Sequence, residues 1–388
     1  MKIVIAMDSF KESLSTMQAG NAVKDGIAAA IPDAVSVVVP MADGGEGTLE
    51  AIMSGRGGEQ ISISVCGPLG KSVIANYGIV GSPGYAVIEI GQAAGLSLLK
   101  PEERNPLYTT SYGVGEMILD AIERGVREFI IGLGGSGTND AGLGMLEALG
   151  FRFFDAEDNF VGKYGGDVGK ICSIDISCAD SRLKDCRFCL ACDVNNPLVG
   201  NNGATVVFGP QKGATPEIVA ELDSAYKRYS VIAADTLGRD MSWEPGAGAA
   251  GGLGFAFQAF LNAEMRPGVE VVMEAIGLED YIRDAEIVVT GEGKLDRQTA
   301  MGKTPSGVAQ LAKKYNAVVI ALSGCLEDDI ANLHDCGLDA YFSILNMPQT
   351  IQEALESGHA EKNLRTTAEQ VFRLIDAVKT ENCRCAKN

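Results

Sequence analysis

Residues 132–140 read GLGGSGTND, and the fold turns on what this stretch is taken to be. It follows the apolar run EFIIG (128–132) and leads into AGLGMLEALG (141–150), which has helical spacing. Strand, glycine-rich turn and helix in that order predict an α/β protein, with an anion at the positive end of the helix. Gly132, Gly134 and Gly137 satisfy G-x-G-x-x-G, and FRFFD (151–155) supplies a following strand that ends in an acid. On spacing alone this is a dinucleotide fingerprint. The other reading is a loop for the phosphates of a nucleotide whose terminal group is transferred.

Composition narrows the choice of partners. The chain has 388 residues, enough for two or three domains at roughly 150 residues each. Its 48 glycines exceed the usual share of roughly 7% and gather at the ends of apolar runs, which predicts tight loops approached by backbone or ligand. A net charge of −19 argues against nucleic acid, whose phosphates demand Lys/Arg surfaces. The apolar run before Asp8 is too short for a signal peptide, and no run approaches the 18 or so apolar residues of a membrane span. A cytoplasmic protein without disulfides is expected. CRFCLAC (186–192) has the spacing of half an iron–sulfur motif but lacks the fourth cysteine and reads as a buried strand. The two histidines, His334 and His359, lie in polar surroundings, so histidine triads and zinc sites are not expected.

Short β-branched runs alternate with helical segments along the chain. KIVIAM (2–7) and VSVVVP (35–40) flank an amphipathic helix; ISISV, SVIANYGIV and YAVIEIG then read as an antiparallel region. After residue 284, EIVVTGEG, AVVIALSG and LDAYFSIL return as buried strands. The simplest account is a parallel-sheet domain from residues 1–60 and 285–388, interrupted by a second α/β domain at 61–284, with the active site in the cleft between them.

Five polar loops follow predicted strands, where open parallel sheets bind ligands. DSFKES offers Asp8, Ser9 and Lys11, the lysine as a point charge for a carboxylate or phosphate, with Ser13 or Ser15 left to cap the next helix. ADGGEGT offers Asp43, Gly44, Gly45 and Glu46; a cap by Thr48 would not need three glycines in four positions, so backbone approach to a ligand is expected. In GGSGTND, Gly134, Gly135, Ser136, Thr138 and Asn139 are phosphate-binding candidates and Asp140 a magnesium ligand, with an N-cap at Asn139 or Asp140 as the plain alternative. CDVNNPL places Asp193 at a strand end, close in sequence to Gln211 and Lys212. TGEGKLDRQTAMGKTPSG brings Glu292, Asp296, Gln298 and Lys303 together, and its Thr304-Pro305 reads as a helix cap followed by the first helical position. GKT at 302–304 and GKS at 70–72 are not Walker loops, because Arg297 and Val65 stand at the required first glycine. PGAGAAGGLG (245–254) holds a second G-x-G-x-x-G, which shows how cheaply that pattern arises in this chain.

Taken jointly, DSFK, PMADGGEGT, GGSGTND, CDVNNPL, FGPQKGA, PGAGAAGGLG and TGEGKLDRQT resemble the class I, bacterial-type glycerate kinases over essentially the whole chain. The resemblance implies phosphoryl transfer from Mg·ATP to D-glycerate. It also implies a flavodoxin-like domain from the two chain ends and an inserted domain of restriction-endonuclease-like fold. Departures are few: the family commonly has Pro at Met7, Gly at Glu12 and Ala at Gly137, so one substitution completes the apparent fingerprint.

On that footing GGSGTND cradles the phosphates of ATP, with Asp140 and Asp193 toward Mg²⁺. Glycerate falls to Asp8, Ser9, Lys11, Asp43, Gly44, Gly45, Glu46, Glu292 and Asp296. Lys11 and Asp193 are the expected catalytic pair, Asp193 accepting the hydroxyl proton with Asp43 and Glu292 as rivals. The product expected is 2-phosphoglycerate, with 3-phosphoglycerate the alternative, from a monomer or homodimer. A NAD-dependent dehydrogenase of a hydroxy acid is the rival enzyme class, opposed by carboxylate-rich loops without histidine. A non-catalytic anion binder would not need those carboxylates.

Overall fold

A computed structural model describes residues 1–82 and 84–385 and shows a mixed α/β protein of two compact units. One comprises 1–43, 50–56 and the chain from 269 onward; the other comprises 44–49 and 57–268.

The terminal unit is built on a five-stranded, wholly parallel sheet. Strand Lys2–Met7 pairs on one side with Val35–Val38 and on the other with Ile287–Leu295, which is followed by Val318–Leu326 and Ala340–Ser343. Counted within the unit, the strand order is 2-1-3-4-5, that of flavodoxin-like sheets, and it reverses between Lys2–Met7 and Ile287–Leu295. The central strands are buried on both faces, as continuous apolar runs in a parallel sheet should be. Ile3, Ile5, Met7, Val289 and Leu322 form one face, packed on helices Thr16–Ala30 and Ser357–Cys385. Ser15 starts the first of these helices through a capping box with Gln18. Gly26 lets the two helices close up, since a Cβ there would lie 2.4 Å from the Arg365 carbonyl oxygen.

The middle unit holds a six-stranded mixed sheet. Glu264–Arg266, Arg187–Ala191, Glu128–Gly132 and Gly84–Glu89 run parallel, and Ser72–Gly81 and Glu59–Cys66 complete it antiparallel. Glu89, Gly132, Ala191 and Arg266 stand in one register row. That row ends the parallel strands at one level, so the loops that follow them emerge side by side. Phe129 stacks on Phe188 beneath them, with ring centroids 4.8 Å apart. Within CRFCLAC, residues 187–191 form the strand Arg187–Ala191, with Cys189 in it and Cys186 and Cys192 flanking it, all three half-buried. Among the described residues no helix is long and apolar enough to cross a membrane.

Candidate active site

In the terminal unit a cavity of about 660 Å³ opens at the carboxyl ends of the parallel strands, at the point where strand order reverses. Its lining includes the charged residues Asp8, Lys11, Asp43, Glu292, Asp296 and Lys303, the apolar Ile344 and Leu355, and Cys325. The sequence-predicted Ser9 lines the same cavity.

Asp8 follows directly on the first strand and is almost wholly buried. Its carboxylate accepts hydrogen bonds from the Ser9 amide at 2.6 Å and the Thr304 hydroxyl at 2.6 Å. Burial, and then the charge of Asp43, push its pKa up to about 6. Thr304 thus differs from its expected role: the cap position is Lys303, and the threonine hydroxyl is turned onto Asp8. Lys11 lies 3.6 Å from Asp43, whose charge, joined by that of Asp8, raises the lysine's pKa. The neighbouring Glu12 holds a left-handed backbone, φ 65°, which accounts for the glycine common at this position in the resembling family.

Glu292 is held by the Thr299 hydroxyl at 2.7 Å. Burial drives its pKa up to about 7, against that bond and the opposing charge of Lys303. Asp296 differs: burial opposes ionisation, yet Lys303 and the amides of Thr299 and Gln298 hold its pKa below the ordinary value. The cavity therefore sets two carboxyls with raised pKa, Asp8 and Glu292, beside Asp296, whose pKa is lowered, and among the lysines Lys11, Lys294 and Lys303.

The middle unit gathers the glycine loops, and here several expectations change. Glycine at 132 and 134 is required by the loop at 44–45: added Cβ atoms would lie 2.6 Å from the Gly44 oxygen and 2.5 Å from the Gly45 Cα. At Gly137 a Cβ would meet the Gly95 oxygen at 2.9 Å. All three glycines of the apparent fingerprint are thus spent on loop-to-loop packing. Gly44, with φ +88°, is itself pressed against Ala191. The second G-x-G-x-x-G behaves alike, since a Cβ on Gly251 would lie 2.1 Å from the Thr138 oxygen. Glu46 is exposed in its loop, and the division of the chain falls between Asp43 and Gly44.

GGSGTND divides in two. Gly134, Gly135 and Ser136 form a solvent-reaching tip, whereas Thr138, Asn139 and Asp140 are fully buried. The Asn139 side-chain amide donates to Thr205 at 3.0 Å, inside the unit. Asp140 is not placed as a magnesium ligand. Its carboxylate accepts from the Ser111 amide at 2.7 Å, the Ser111 hydroxyl at 2.8 Å, the Gly142 amide at 3.1 Å and the Gly144 amide at 3.2 Å. It serves as the built-in anion of the short helix Leu143–Ala148, which leaves that helix end nothing to offer a ligand. Thr138 and Asn139 likewise anchor the loop rather than line it. Asp193 is exposed at its strand end and accepts from the Gly268 amide at 2.9 Å.

The sequence reading missed Glu89 and the burial of Lys212. Glu89 accepts from the Leu49 amide at 2.8 Å, fixing the ADGGEGT loop, and its burial raises its pKa. An acid closing the apolar run YAVIE was its only signal. Lys212, 1% exposed, donates to the Ser136 hydroxyl at 2.8 Å and the Thr138 carbonyl at 2.7 Å. Its place among the turn residues of FGPQKGA gave no hint of burial.

Residues 3–376 match the model of the glycerate kinase family. Glycerate 2-kinase of Escherichia coli K12 is 48% identical over 372 residues, covering 95% of this chain and 98% of that protein. Glycerate kinase of Haemophilus influenzae is 45% identical over 375 residues, 97% and 99% of the two chains. A crystal structure of a protein named glycerate kinase 2, from Salmonella typhimurium LT2, aligns at a TM-score of 0.87 and 46% identity over 98% of this chain and 99% of that one. Fold and sequence agree from end to end, and the chain belongs to the glycerate kinase family, a phosphotransferase of that kind.

Proposed function

We propose that this kinase transfers the γ-phosphoryl group of Mg·ATP to D-glycerate and yields 2-phosphoglycerate. The observation that carries the acceptor half is the cavity of the terminal unit, where Lys11 stands among Asp8, Asp43 and Glu292 at the switch point of a parallel sheet. The 2-position is supported by the name of the Escherichia coli relative.

Phosphoryl transfer needs positioning and charge neutralisation more than covalent chemistry. Lys11, exposed and cationic, pairs with the carboxylate of glycerate or with the group in flight. Glu292, its pKa raised to about 7 by burial, accepts the hydroxyl proton; it shares the lysine's cavity, which favours it over Asp193. Asp8 and Asp43 hold the lysine in place. The exposed tip Gly134–Ser136 meets the nucleotide phosphates with backbone donors. Magnesium, when bound, supplies charge neutralisation on the phosphates. Among the described residues no group of three acidic, histidine or cysteine side chains is placed to hold an ion. Mg²⁺ would be carried mainly by nucleotide oxygens, with Asp193, exposed at its strand end, as the protein carboxylate offered to it.

Incubation of the protein with Mg·ATP and D-glycerate, followed by phosphorus NMR, tests the reading. A phosphomonoester coupled to a single carbon-bound proton is the expected product. Coupling to a methylene pair would move the product to 3-phosphoglycerate, and absence of any new ester would overturn the substrate.

A further inference from the structure

The phosphate loop rests on a buried cation that the transfer chemistry leaves unused. Lys212 ends the helical turn Pro210–Lys212, and the turn is fixed from behind: Gly213 has φ +89°, and a Cβ there would lie 2.0 Å from the Arg104 oxygen. Its ammonium bonds one residue on each side of Gly137, at the Ser136 hydroxyl and the Thr138 carbonyl. Gly137 itself is pinned from another direction, its amide donating to the Ala94 oxygen at 2.8 Å, while the Leu96 amide donates to the Gly135 oxygen at 2.8 Å. Burying an ammonium is costly, and a side chain needed only to fill space would be apolar. The Thr138 hydroxyl and the Asn139 amide oxygen are buried without partners among the described residues, so the lysine is the polar tie beneath this part of the loop.

We propose that Lys212 is a positioning residue for the nucleotide: from beneath the loop it ties Ser136 to Thr138 and so fixes the exposed tip Gly134–Ser136 in the shape that meets the phosphates. This rests on the assignment of that tip to the nucleotide. Charge is part of the tie, because hydrogen bonds from an ammonium are about twice as strong as neutral ones. Burial pulls the pKa of Lys212 down to about 7, with Asp140 the charged group facing it and opposing the shift. The tie therefore weakens as pH rises through neutrality.

The test compares Lys212→Met, Ser136→Ala and Gly135→Asp with the wild type, measuring KM for ATP, KM for glycerate and kcat between pH 6.5 and 8.5. Lys212→Met is expected to raise KM for ATP about tenfold or more, as loss of charged hydrogen bonds implies, with KM for glycerate unmoved. Ser136→Ala removes one of the two acceptors from a half-exposed position and should give a smaller rise in the same constant. Wild-type KM for ATP should climb above pH 7, and the climb should vanish in Lys212→Met. If Lys212→Met does not fold, Ser136→Ala and the wild-type pH profile decide the matter. Gly135→Asp tests the assignment of the tip independently, since Gly135 has φ +70°, a conformation aspartate tolerates, and open space around it. If Gly135→Asp raises KM for ATP while Ser136→Ala and Lys212→Met leave it at the wild-type value, the positioning role is overturned. If Gly135→Asp also leaves it unchanged, the tip does not meet the nucleotide, and both the assignment and the role fall.

Discussion

Lys11 exposes 78% of its side chain, so removing it costs the fold little and the chemistry much. Lys11→Ala is expected to lower kcat by on the order of 100-fold, the range found when a donor to developing charge is lost, while the melting temperature stays put. Glu292 is the opposite case. Its pKa is raised from 4.5 to about 7, so the folded protein binds a proton that the unfolded chain has lost, and stability declines as pH rises through that window. Glu292→Gln keeps an acceptor for Thr299 and removes the buried charge. It should melt higher than wild type at pH 8, by roughly 2–3 kcal/mol, with the gain gone below about pH 4.5. Equal melting curves at pH 8 would contradict the burial argument. The same variant should lose most of its activity. At this scale the sequence was informative where a charged residue stands near a strand's carboxyl end: Asp8, Lys11 and Glu292 share one cavity. It passed over Glu89, read Thr304 as a helix cap and gave no sign that Lys212 is buried; the side chains of all three turn inward onto partners distant in the chain.

Among elements, the glycine loops teach the most. A glycine spacing says that something approaches the backbone; it does not say what. Gly132 and Gly134 are approached by the loop at 44–45 and Gly44 by Ala191, and only the register row Glu89–Gly132–Ala191 makes that visible. Asp140 follows the same logic, because a carboxylate at a helix start caps it or binds an ion according to what surrounds it. Asp140→Asn turns one acceptor oxygen into a donor facing a backbone amide, that of Gly142 or of Ser111 and Gly144. It should destabilise the protein by on the order of 2 kcal/mol or more in urea unfolding. The magnesium concentration for half-maximal activity should stay at the wild-type value; a large increase would restore Asp140 as a ligand.

For the whole molecule, the discontinuous sheet was legible because apolar strands reappear after residue 284, but the strand order was not. Lys2–Met7 finds its neighbour Ile287–Leu295 only after most of the chain has intervened, whereas Gly84–Glu89 and Glu128–Gly132 are close in sequence. Long loop closures are slow to form. Pulse-labelled hydrogen exchange during refolding should therefore protect the amides of 84–89 and 128–132 before those of 3–7 and 287–291. Simultaneous protection would show that the two units fold as one. Cys325 has a different kind of value. It is an exposed thiol on the wall of the cavity, and the other exposed thiols described, Cys172 and Cys178, belong to the middle unit. The protein thus carries its own occupancy reporter: alkylation by maleimide, read peptide by peptide in a mass spectrometer, should slow at Cys325 when glycerate is present and proceed unchanged at Cys172 and Cys178.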